Sequence, residues 1–403
     1  MKKILIVINS LAGGGAEKSL VSLLNELKDY QEQFEIDLLL PNKDGLFQDQ
    51  IPDFVNEIII PEDLMYMSHS LKSILRLKKH NFKYLLKKIY STFVMKKMKR
   101  EASGVKEQKL WSIWKNTLKS LDKKYDIAIG YLNGYPNYYV CDKVEAKNKI
   151  LWVHNEYKKL GYNNEFDYPY FEKANFIITI SQLCVDSLID NFPEFRNKVK
   201  ILENITSGRL IESMSNKIVD CPIYFDNKEL KILSIGRLVP QKNFSLALKT
   251  VKKLKEENPN LNFKWYFIGE GQEYDMLQKL VDSLDISSNV CFLGVTENPY
   301  PFIRQADIFV QTSKFEGKSI VIDEAKVLQK LIICTNYTTV YDSINDRVTG
   351  IICNMDENSI SESIMLLVKD ETLRKKIREN LKDFKEGNSN EVKKYVKVFN
   401  NEW

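Results

Sequence analysis

The chain has 403 residues, of which 44% are hydrophobic and 28% are charged, and its formal net charge is +5. That mixture is typical of folded proteins and excludes a disordered or low-complexity chain. The length exceeds what a single hydrophobic core supports, so we expect two domains. No apolar stretch approaches the ~18 residues that crossing a bilayer requires. The first apolar run, at residues 4–8, is also too short for the core of a signal peptide.

The six cysteines lie far apart along the sequence, which excludes a zinc knuckle or a paired redox motif. Isolated cysteines in a chain of this size are typical of a reducing compartment, where they act as small buried hydrophobic residues. We therefore expect a cytoplasmic protein.

Short apolar runs alternate with helical patterns through the first half of the chain. A glycine-rich turn and a helical pattern at residues 16–27 follow the first run. This alternation predicts a parallel sheet with helices on both faces. Strands are predicted at residues 4–8, 36–40, 58–60, 127–131, 150–153 and 176–180.

Residues 71–124 break this alternation and carry 17 Lys and Arg against 3 Asp and Glu, a local balance of +14. Their apolar residues recur at helical spacing, which predicts a pair of basic amphipathic helices suited to an anionic membrane surface. A solvated face on a lysine-rich protein is the plain alternative. No motif that reads nucleic acid accompanies the charge, so nucleic acid is not an expected partner.

The second half repeats the plan after a poorly patterned stretch at residues 206–228. We place the boundary there, so that the domains are residues 1–205 and 206–389, and a last helix at 390–403 could pack on either. The predicted class is α/β, with two doubly wound, Rossmann-like parallel sheets facing each other across a cleft. Strands are predicted at residues 230–235, 263–268, 290–293, 308–311 and 331–335, and helices at 244–256 and 274–284.

A glycine run, Gly13-Gly14-Gly15, follows the first predicted strand and is followed by Glu17 and Lys18. Glycines allow a ligand to approach the backbone, and the N–H groups at a helix start favour an anion or a sugar oxygen. The run matches neither the dinucleotide-binding nor the P-loop pattern. A plain tight turn is the alternative.

Two cations, Arg237 and Lys242, follow Gly236 at the end of the first strand of the second half. Cations at that position could neutralise a diphosphate and the charge that grows on it as it leaves. Ordinary surface charge is the alternative.

Two glutamates, Glu316 and Glu324, are separated by seven residues, with Ser319 between them. If a helix begins near Ser319, its first N–H groups can hold a phosphate. Carboxylates beside a phosphate are unfavourable, so we expect the glutamates to bind sugar or ribose hydroxyls. An exposed helix acid is the alternative for each.

Of the three histidines, His69, His80 and His154, only His154 directly follows a predicted strand. An imidazole there could donate to a sugar hydroxyl or to a developing charge. A satisfied core histidine is the alternative. A metal site would need clustered partner ligands, and the sequence offers none around His154.

Together these motifs resemble glycosyltransferase family 4, whose retaining enzymes have the GT-B fold of two facing Rossmann-like domains. The resemblance depends on four motifs, which follow one another along most of the chain. They are Gly-Gly-Ala-Glu after the first strand, Gly-Arg-Leu followed by Lys-Asn, an Ile-Gly-Glu-Gly turn, and the two glutamates separated by seven residues. They occupy residues 14–17, 236–243, 268–271 and 316–324. The basic segment at 71–124 is the least typical part.

The resemblance implies a role for each matching residue. Arg237 and Lys242 would grip the donor diphosphate, Glu316 would lie beside the transferred sugar, Glu324 would bond the nucleotide ribose, and His154 would face the sugar. The same resemblance implies no metal or other cofactor, and a last helix that crosses back onto the first domain.

The remaining matches complete the implied site. Gly15, Gly236, Gly317 and the backbone at Lys318, Ser319 and Ile320 would contact the donor, and Gly14 and Glu17 the acceptor. Where the family commonly has Glu-Gly-Phe-Gly, this chain has Glu-Gly-Lys-Ser. Lys318 thus adds a cation near the sugar, and the resemblance does not identify the donor.

The expected function is retaining transfer of a hexose from a nucleoside diphosphate sugar to a lipid-linked oligosaccharide, at the inner face of the cell membrane. The first domain would bind the acceptor and the second the donor. Variants of this kind resemble bacterial capsule and exopolysaccharide enzymes. A nucleotide-sugar epimerase of the same fold and a non-catalytic sugar-nucleotide-binding module are the alternatives.

Overall fold

The structure is a computed structural model, and contacts within the chain divide it into two units. Unit 1 comprises Met1–Ile205 and Asn390–Trp403, and unit 2 comprises Thr206–Ser389. The residues described are 1–12, 14–43, 45–217, 229–316 and 318–402.

Unit 1 is built on a seven-stranded sheet in which every pairing is parallel. Its strands are β1 (Lys2–Val7), β2 (Phe34–Leu39), β3 (Val55–Glu57), β4 (Tyr125–Gly130), β5 (Ala146–Val153), β6 (Phe176–Thr179) and β7 (Val199–Ile201). They lie in the order β3-β2-β1-β4-β5-β6-β7. The residues from Ile4 to Val7 are fully buried, as expected for a central strand that helices cover on both faces.

The helices of unit 1 that precede the boundary include both predicted helices of the basic segment. They are α1 (Gly15–Glu26), α2 (Glu62–Ser68), α3 (Leu71–Ile74), α4 (Phe82–Lys97), α5 (Ser103–Trp114), α6 (Tyr135–Lys143), α7 (Tyr157–Leu160), α8 (Asn164–Lys173) and α9 (Gln182–Asn191).

Unit 2 is built on a six-stranded parallel sheet. Its strands are β8 (Leu230–Ile235), β9 (Phe263–Ile268), β10 (Val290–Gly294), β11 (Ile308–Gln311), β12 (Leu331–Thr335) and β13 (Ile351–Cys353), in the order β10-β9-β8-β11-β12-β13. Its helices are α10 (Gly208–Ser215), α11 (Phe244–Glu257), α12 (Tyr274–Ser283), α13 (Tyr300–Gln305), α14 (Ile320–Val327), α15 (Glu357–Lys369) and α16 (Glu371–Leu381). The final helix, α17 (Val392–Asn400), packs in unit 1.

The prediction of two parallel sheets with helices is confirmed, but single elements differ. A strand predicted at residues 58–60 is wrong: β3 lies three residues earlier, where Val55 is buried, while Ile59 is 91% exposed. The two strands that the sequence did not predict, β7 and β13, have three residues each, too few for a periodic pattern to appear.

The described cysteines are free, and four of the five are buried, which fits their expected use as small hydrophobic residues. Cys221 lies outside the described residues, as does most of the stretch predicted as a linker.

Candidate active site

In each sheet the strand order reverses at one point, between β1 and β4 in unit 1 and between β8 and β11 in unit 2, while all strands stay parallel. Open α/β sheets bind ligands beyond the carboxyl ends of the strands at such points. The predicted cations of unit 2 follow β8, and Glu316 follows β11. The glycine turn and His154 follow β1 and β5 in unit 1.

Lys242 and Glu316 form a short ion pair in unit 2, with Nζ 2.6 Å from Oε1. The side chains are only 16% and 9% exposed, so water screens this pair little. The same Oε1 accepts from the Ser313 hydroxyl at 2.5 Å and from Gln311 Nε2 at 3.0 Å. A carboxylate held by two hydrogen-bond donors and a partly buried cation is rigid and charged, as a binding site for a charged ligand requires.

Arg237 lies on the loop that follows β8, beside the turn after β9. The backbone N–H of Leu238 donates to Glu270 O at 2.9 Å, which pairs the two loops. Gly269 has φ 139°, and a side chain there would collide with the Gly236 carbonyl, so this turn requires glycine. Close pairing fixes the backbone that carries Arg237.

The side chain of Arg237 is exposed and makes no hydrogen bond or ion pair with the residues that the structure describes. The stem of Lys242 lies against Gly236, the residue before Arg237. Unit 2 therefore presents one paired and one unpaired cation on the loop after β8, and the unpaired one is available to an anionic ligand.

Helix α14 begins directly after Ser319, as the sequence predicts. The Ser319 hydroxyl donates to Gln311 Oε1 at 2.9 Å and does not cap the helix. The first N–H groups of a helix have no partner inside it, so those of α14 suit a phosphate. Gln311 thereby joins Ser319 to Glu316. Lys318 and Ile320 are half-buried, and Gly317 lies outside the described residues.

Glu324 lies inside α14, and its side chain is 1% exposed. It accepts a hydrogen bond from the Tyr300 hydroxyl at 3.0 Å. Burial and the neighbouring carboxylate raise the pKa of Tyr300 well above its ordinary value, so the tyrosine stays protonated and donates. The alternative of an exposed helix acid is therefore excluded for Glu324, while its expected role toward a ribose stays a prediction.

In unit 1, the backbone of Gly14 starts α1, and no side chain caps this helix. The carboxylate of Glu17 lies against Gly14, in the space that a side chain would need. Burial raises the pKa of Glu17, while its own backbone N–H acts in the opposite direction. Gly15 is the first residue of α1, and Gly13 lies outside the described residues.

His154 is buried, and its Nε2 lies 2.9 Å from the backbone carbonyl of Tyr131. A carbonyl oxygen only accepts, so Nε2 carries the proton. Burial lowers the pKa of His154 to about 4, against opposing effects of the Tyr131 carbonyl and Asn204, so the ring is neutral near pH 7. Its single N–H is thus used inside unit 1, and donation to a sugar requires this bond to exchange.

Four polar residues at these edges escaped the sequence analysis: Gln241, Gln311, Ser313 and Tyr300. Gln241 Nε2 donates to Phe315 O at 2.9 Å and thereby holds the loop before Glu316. Gln311 and Ser313 end or directly follow a buried strand, which is a usable signal for a site residue. Tyr300 carries no such signal, because it meets Glu324 only through tertiary packing.

Among the described residues, no group of three or more His, Cys, Asp or Glu could hold a metal ion. Within the same residues, no helix has both the length and the apolar character to span a bilayer.

Residues 222–384 match the family model for glycosyl transferases group 1. Over 395 residues, 95% of this chain, the sequence is 26% identical to a Campylobacter jejuni enzyme and covers 94% of it. That enzyme is N-acetylgalactosamine-N,N'-diacetylbacillosaminyl-diphospho-undecaprenol 4-alpha-N-acetylgalactosaminyltransferase. A second Campylobacter jejuni relative, an alpha-1,4-N-acetyl-D-galactosaminyltransferase acting on a diNAcBac-PP-undecaprenol glycan, is 25% identical over 95% of this chain and 93% of its own.

Among solved structures, Anabaena HepE in complex with UDP-glucose superposes with a TM-score of 0.65 at 14% identity, covering 100% of both chains. At that identity the likeness shows the fold, which is GT-B. The relatives named above act on lipid-linked undecaprenol-diphosphate glycans. The chain is therefore a glycosyltransferase with the GT-B fold, and its match to glycosyl transferases group 1 lies within the second unit.

Proposed function

We propose that this glycosyltransferase moves a hexose from a nucleoside diphosphate sugar to a lipid-linked oligosaccharide, with retention at the anomeric carbon, during synthesis of a capsule or similar surface polysaccharide. The observation that carries the proposal is the charged edge of unit 2. There Lys242 is paired with Glu316, whose carboxylate also accepts from Gln311, and the Arg237 side chain is left without a protein partner among the described residues.

The donor diphosphate would lie at Arg237, Lys242 and the first N–H groups of α14. Two cations and a helix start compensate the negative charge that develops on the leaving diphosphate, and preorganised charges of this kind supply a large part of catalysis. This neutralisation is what a metal ion would otherwise provide, so the proposed reaction needs no metal.

The sugar and the ribose would be held by the remaining polar groups. Glu316, already oriented by Ser313, would accept from sugar hydroxyls, and His154 would bond another hydroxyl of the transferred hexose. Glu324, fixed through Tyr300, would bond the ribose. Gly236, Gly317 and Gly15 would give the donor room near the backbone, and Gly14 and Glu17 would contact the acceptor.

Helix α4 supports a membrane location for the acceptor. Its exposed apolar side chains fall within about 100° of the helix circumference, which makes one continuous stripe. Phe82 is 71% exposed and Phe93 54% exposed, while Tyr84 and Ser91 face the core. The stripe consists of Phe82, Leu86, Ile89, Tyr90 and Phe93.

Exposed lysines flank the stripe, among them Lys83 and Lys96, and Lys97 Nζ lies 4.5 Å from the centre of the Phe93 ring. Not every cation of residues 71–124 is available: Lys88 is buried, bonds Met67 O at 3.0 Å, and burial lowers its pKa to about 8. An apolar stripe with basic flanks fits the surface of an anionic bilayer. We therefore place the enzyme peripherally at the inner face of the cell membrane.

Vesicle flotation tests this location. The protein should float with vesicles that contain phosphatidylglycerol and not with pure phosphatidylcholine, and salt should weaken binding. The double variant Phe82→Ser with Phe93→Ser should lose binding. Leu183→Ser, which removes an exposed apolar side chain on α9, is the matched control and should float normally. Equal binding to both lipids would contradict the proposal.

A donor screen tests the reaction itself. Release of nucleoside diphosphate should depend on one donor and rise when a bacterial membrane extract supplies acceptor. NMR of the product should show the anomeric configuration of the donor. Formation of an isomeric nucleotide sugar without acceptor would establish the epimerase, and tight donor binding without turnover under any condition would establish a binding module.

A further inference from the structure

Helix α17 closes one face of the sheet of unit 1 with two fully buried aromatic rings, Tyr395 and Phe399. Phe399 meets Phe34 of β2 edge to face, with ring centres 5.7 Å apart. Tyr395 instead stacks on Trp152 of β5, with ring centres 6.0 Å apart and planes inclined by 15°. The two rings meet each other edge to face, with centres 6.5 Å apart, but only Tyr395 packs on Trp152 and only Phe399 packs on Phe34.

The stack continues from Trp152 to the candidate histidine. The Trp152 and Tyr131 rings are 5.1 Å apart and inclined by 26°, and Tyr131 and His154 are also 5.1 Å apart. The backbone carbonyl of Tyr131 accepts the His154 Nε2 hydrogen bond. We name the rings of Tyr395, Trp152, Tyr131 and His154 the aromatic column; all four are buried.

The indole of Trp152 is held by packing alone. Its Nε1 is buried and has no hydrogen-bond partner among the residues that the structure describes. Its orientation therefore depends on the flanking rings of Tyr395 and Tyr131. Tyr395 is itself fixed, because its hydroxyl donates to Glu203 O at 2.8 Å.

We infer that Tyr395 is a positioning residue for His154, acting through Trp152 and Tyr131. Removing the Tyr395 ring leaves space on one side of the indole, and the indole can then turn away from Tyr131. The Tyr131 carbonyl, which fixes the proton of the imidazole on Nε2, shifts with it. The inference deepens the proposed function, since His154 is there assigned to the transferred sugar.

Two variants on one helix separate positioning from general loss of packing. Tyr395→Leu removes the ring from the column, and Phe399→Leu removes an equally buried ring outside it. We expect Tyr395→Leu to lower kcat for glycosyl transfer by about tenfold or more, within the range that small misplacements of active groups produce. Phe399→Leu should keep kcat near wild type. Tyr395→Phe, which retains the ring, should also keep kcat near wild type.

A spectroscopic readout tests the inference independently of turnover. The chain has three histidines, so ring nitrogen-15 NMR is simple to assign with a His154→Gln variant. Wild type and Phe399→Leu should show the Nε2–H tautomer for His154, and Tyr395→Leu should show both tautomers. If no donor is turned over, the proposed function fails while this measurement still decides the positioning role.

Trp152→Phe makes the middle ring of the column smaller and leaves α17 unchanged, so it replaces Tyr395→Leu if that variant does not fold. We expect Trp152→Phe to show both tautomers of His154 as well. An unchanged His154 tautomer in Tyr395→Leu or Trp152→Phe would overturn the inference. Equal losses of kcat in the two leucine variants, with equal tautomer changes, would also overturn it, because Tyr395 would then act only through stability.

Discussion

The candidate residues of the two units are held by different means. In unit 2, Lys242 and Glu316 are fixed by an ion pair and by hydrogen bonds from nearby side chains. In unit 1, His154 is fixed by one backbone hydrogen bond and a buried column of rings. The polar groups of unit 2 can exchange partners when a charged ligand binds. The packed rings of unit 1 have no alternative partners, so they either keep His154 in place or lose their packing.

The difference suits the parts that we assign to the two edges. A diphosphate must displace charge–charge contacts, and a preformed network of donors can turn from a carboxylate to a phosphate with little reorganisation. A neutral sugar is bound by hydrogen bonds, which require a correctly oriented partner rather than a charged one. The close-packed aromatic column holds the His154 ring in one orientation.

The largest effect should come from removing the carboxylate at the charged edge. Glu316→Ala leaves the partly buried Lys242 without its counterion and should lower the free energy of unfolding by about 4 kcal/mol. Urea unfolding measures this. The control Glu256→Ala breaks an exposed pair with Lys252, where Glu256 is 60% exposed, and should cost below about 0.5 kcal/mol. Equal costs would show that burial does not distinguish the two pairs.

Arg237→Ala should separate catalysis from stability at the same edge. Because the exposed side chain of Arg237 makes no hydrogen bond or ion pair with the described residues, stability should stay within about 0.5 kcal/mol of wild type. The rate of nucleoside diphosphate release should fall by a factor on the order of 10²–10³. Lys249→Ala, an exposed cation on α11, is the control and should turn over normally. Near-normal turnover of Arg237→Ala would remove the diphosphate assignment.

The neutral column predicts a pH dependence of stability. The pKa of His154 is about 4 in the folded chain against 6.5 ordinarily, so the unfolded chain takes up a proton that the folded chain refuses. The free energy of unfolding that this difference in pKa contributes is fully present above pH 6.5. As the pH falls from 6.5 toward 4, about 3 kcal/mol of it is lost. Comparing urea unfolding of wild type and His154→Gln at both ends of this window measures it; parallel pH profiles would contradict it.

The smallest effect should come from a single hydroxyl at the column. Ser19 Oγ accepts from the Ile205 backbone N–H at 3.0 Å and lies 3.4 Å from the Tyr131 hydroxyl. Ser19→Ala should cost about 1 kcal/mol of unfolding free energy. Ser283→Ala, whose hydroxyl is exposed on α12, is the control and should be neutral. A neutral Ser19→Ala would mean that the column needs only its rings.

The same contrast explains what the sequence could reveal. The two parallel sheets follow from long apolar runs that end in glycine or polar residues, and the start of α14 follows from Ser319. The cations and glutamates of unit 2 lie close to strand ends in sequence, so local patterns point to them. The partners Gln311 and Ser313 were missed because polar residues after a strand are common.

The aromatic column could not be predicted in the same way. Trp152 and Tyr395 read as ordinary core residues, and their contact joins distant parts of the chain. The strand expected at residues 58–60 failed for a related reason, since an apolar run such as that around Ile59 does not say which residues are buried. Site roles deduced from the family resemblance stay predictions until the variants above are measured.

The placement of α17 has a consequence for biosynthesis. Unit 1 is assembled from the first half of the chain and from α17, which the ribosome makes only after all of unit 2. A nascent chain that has reached Ser389 therefore leaves the Trp152 and Phe34 surfaces uncovered, since Tyr395 and Phe399 are not yet made. Unit 2 can close its sheet first, and unit 1, although its strands emerge earlier, is completed last.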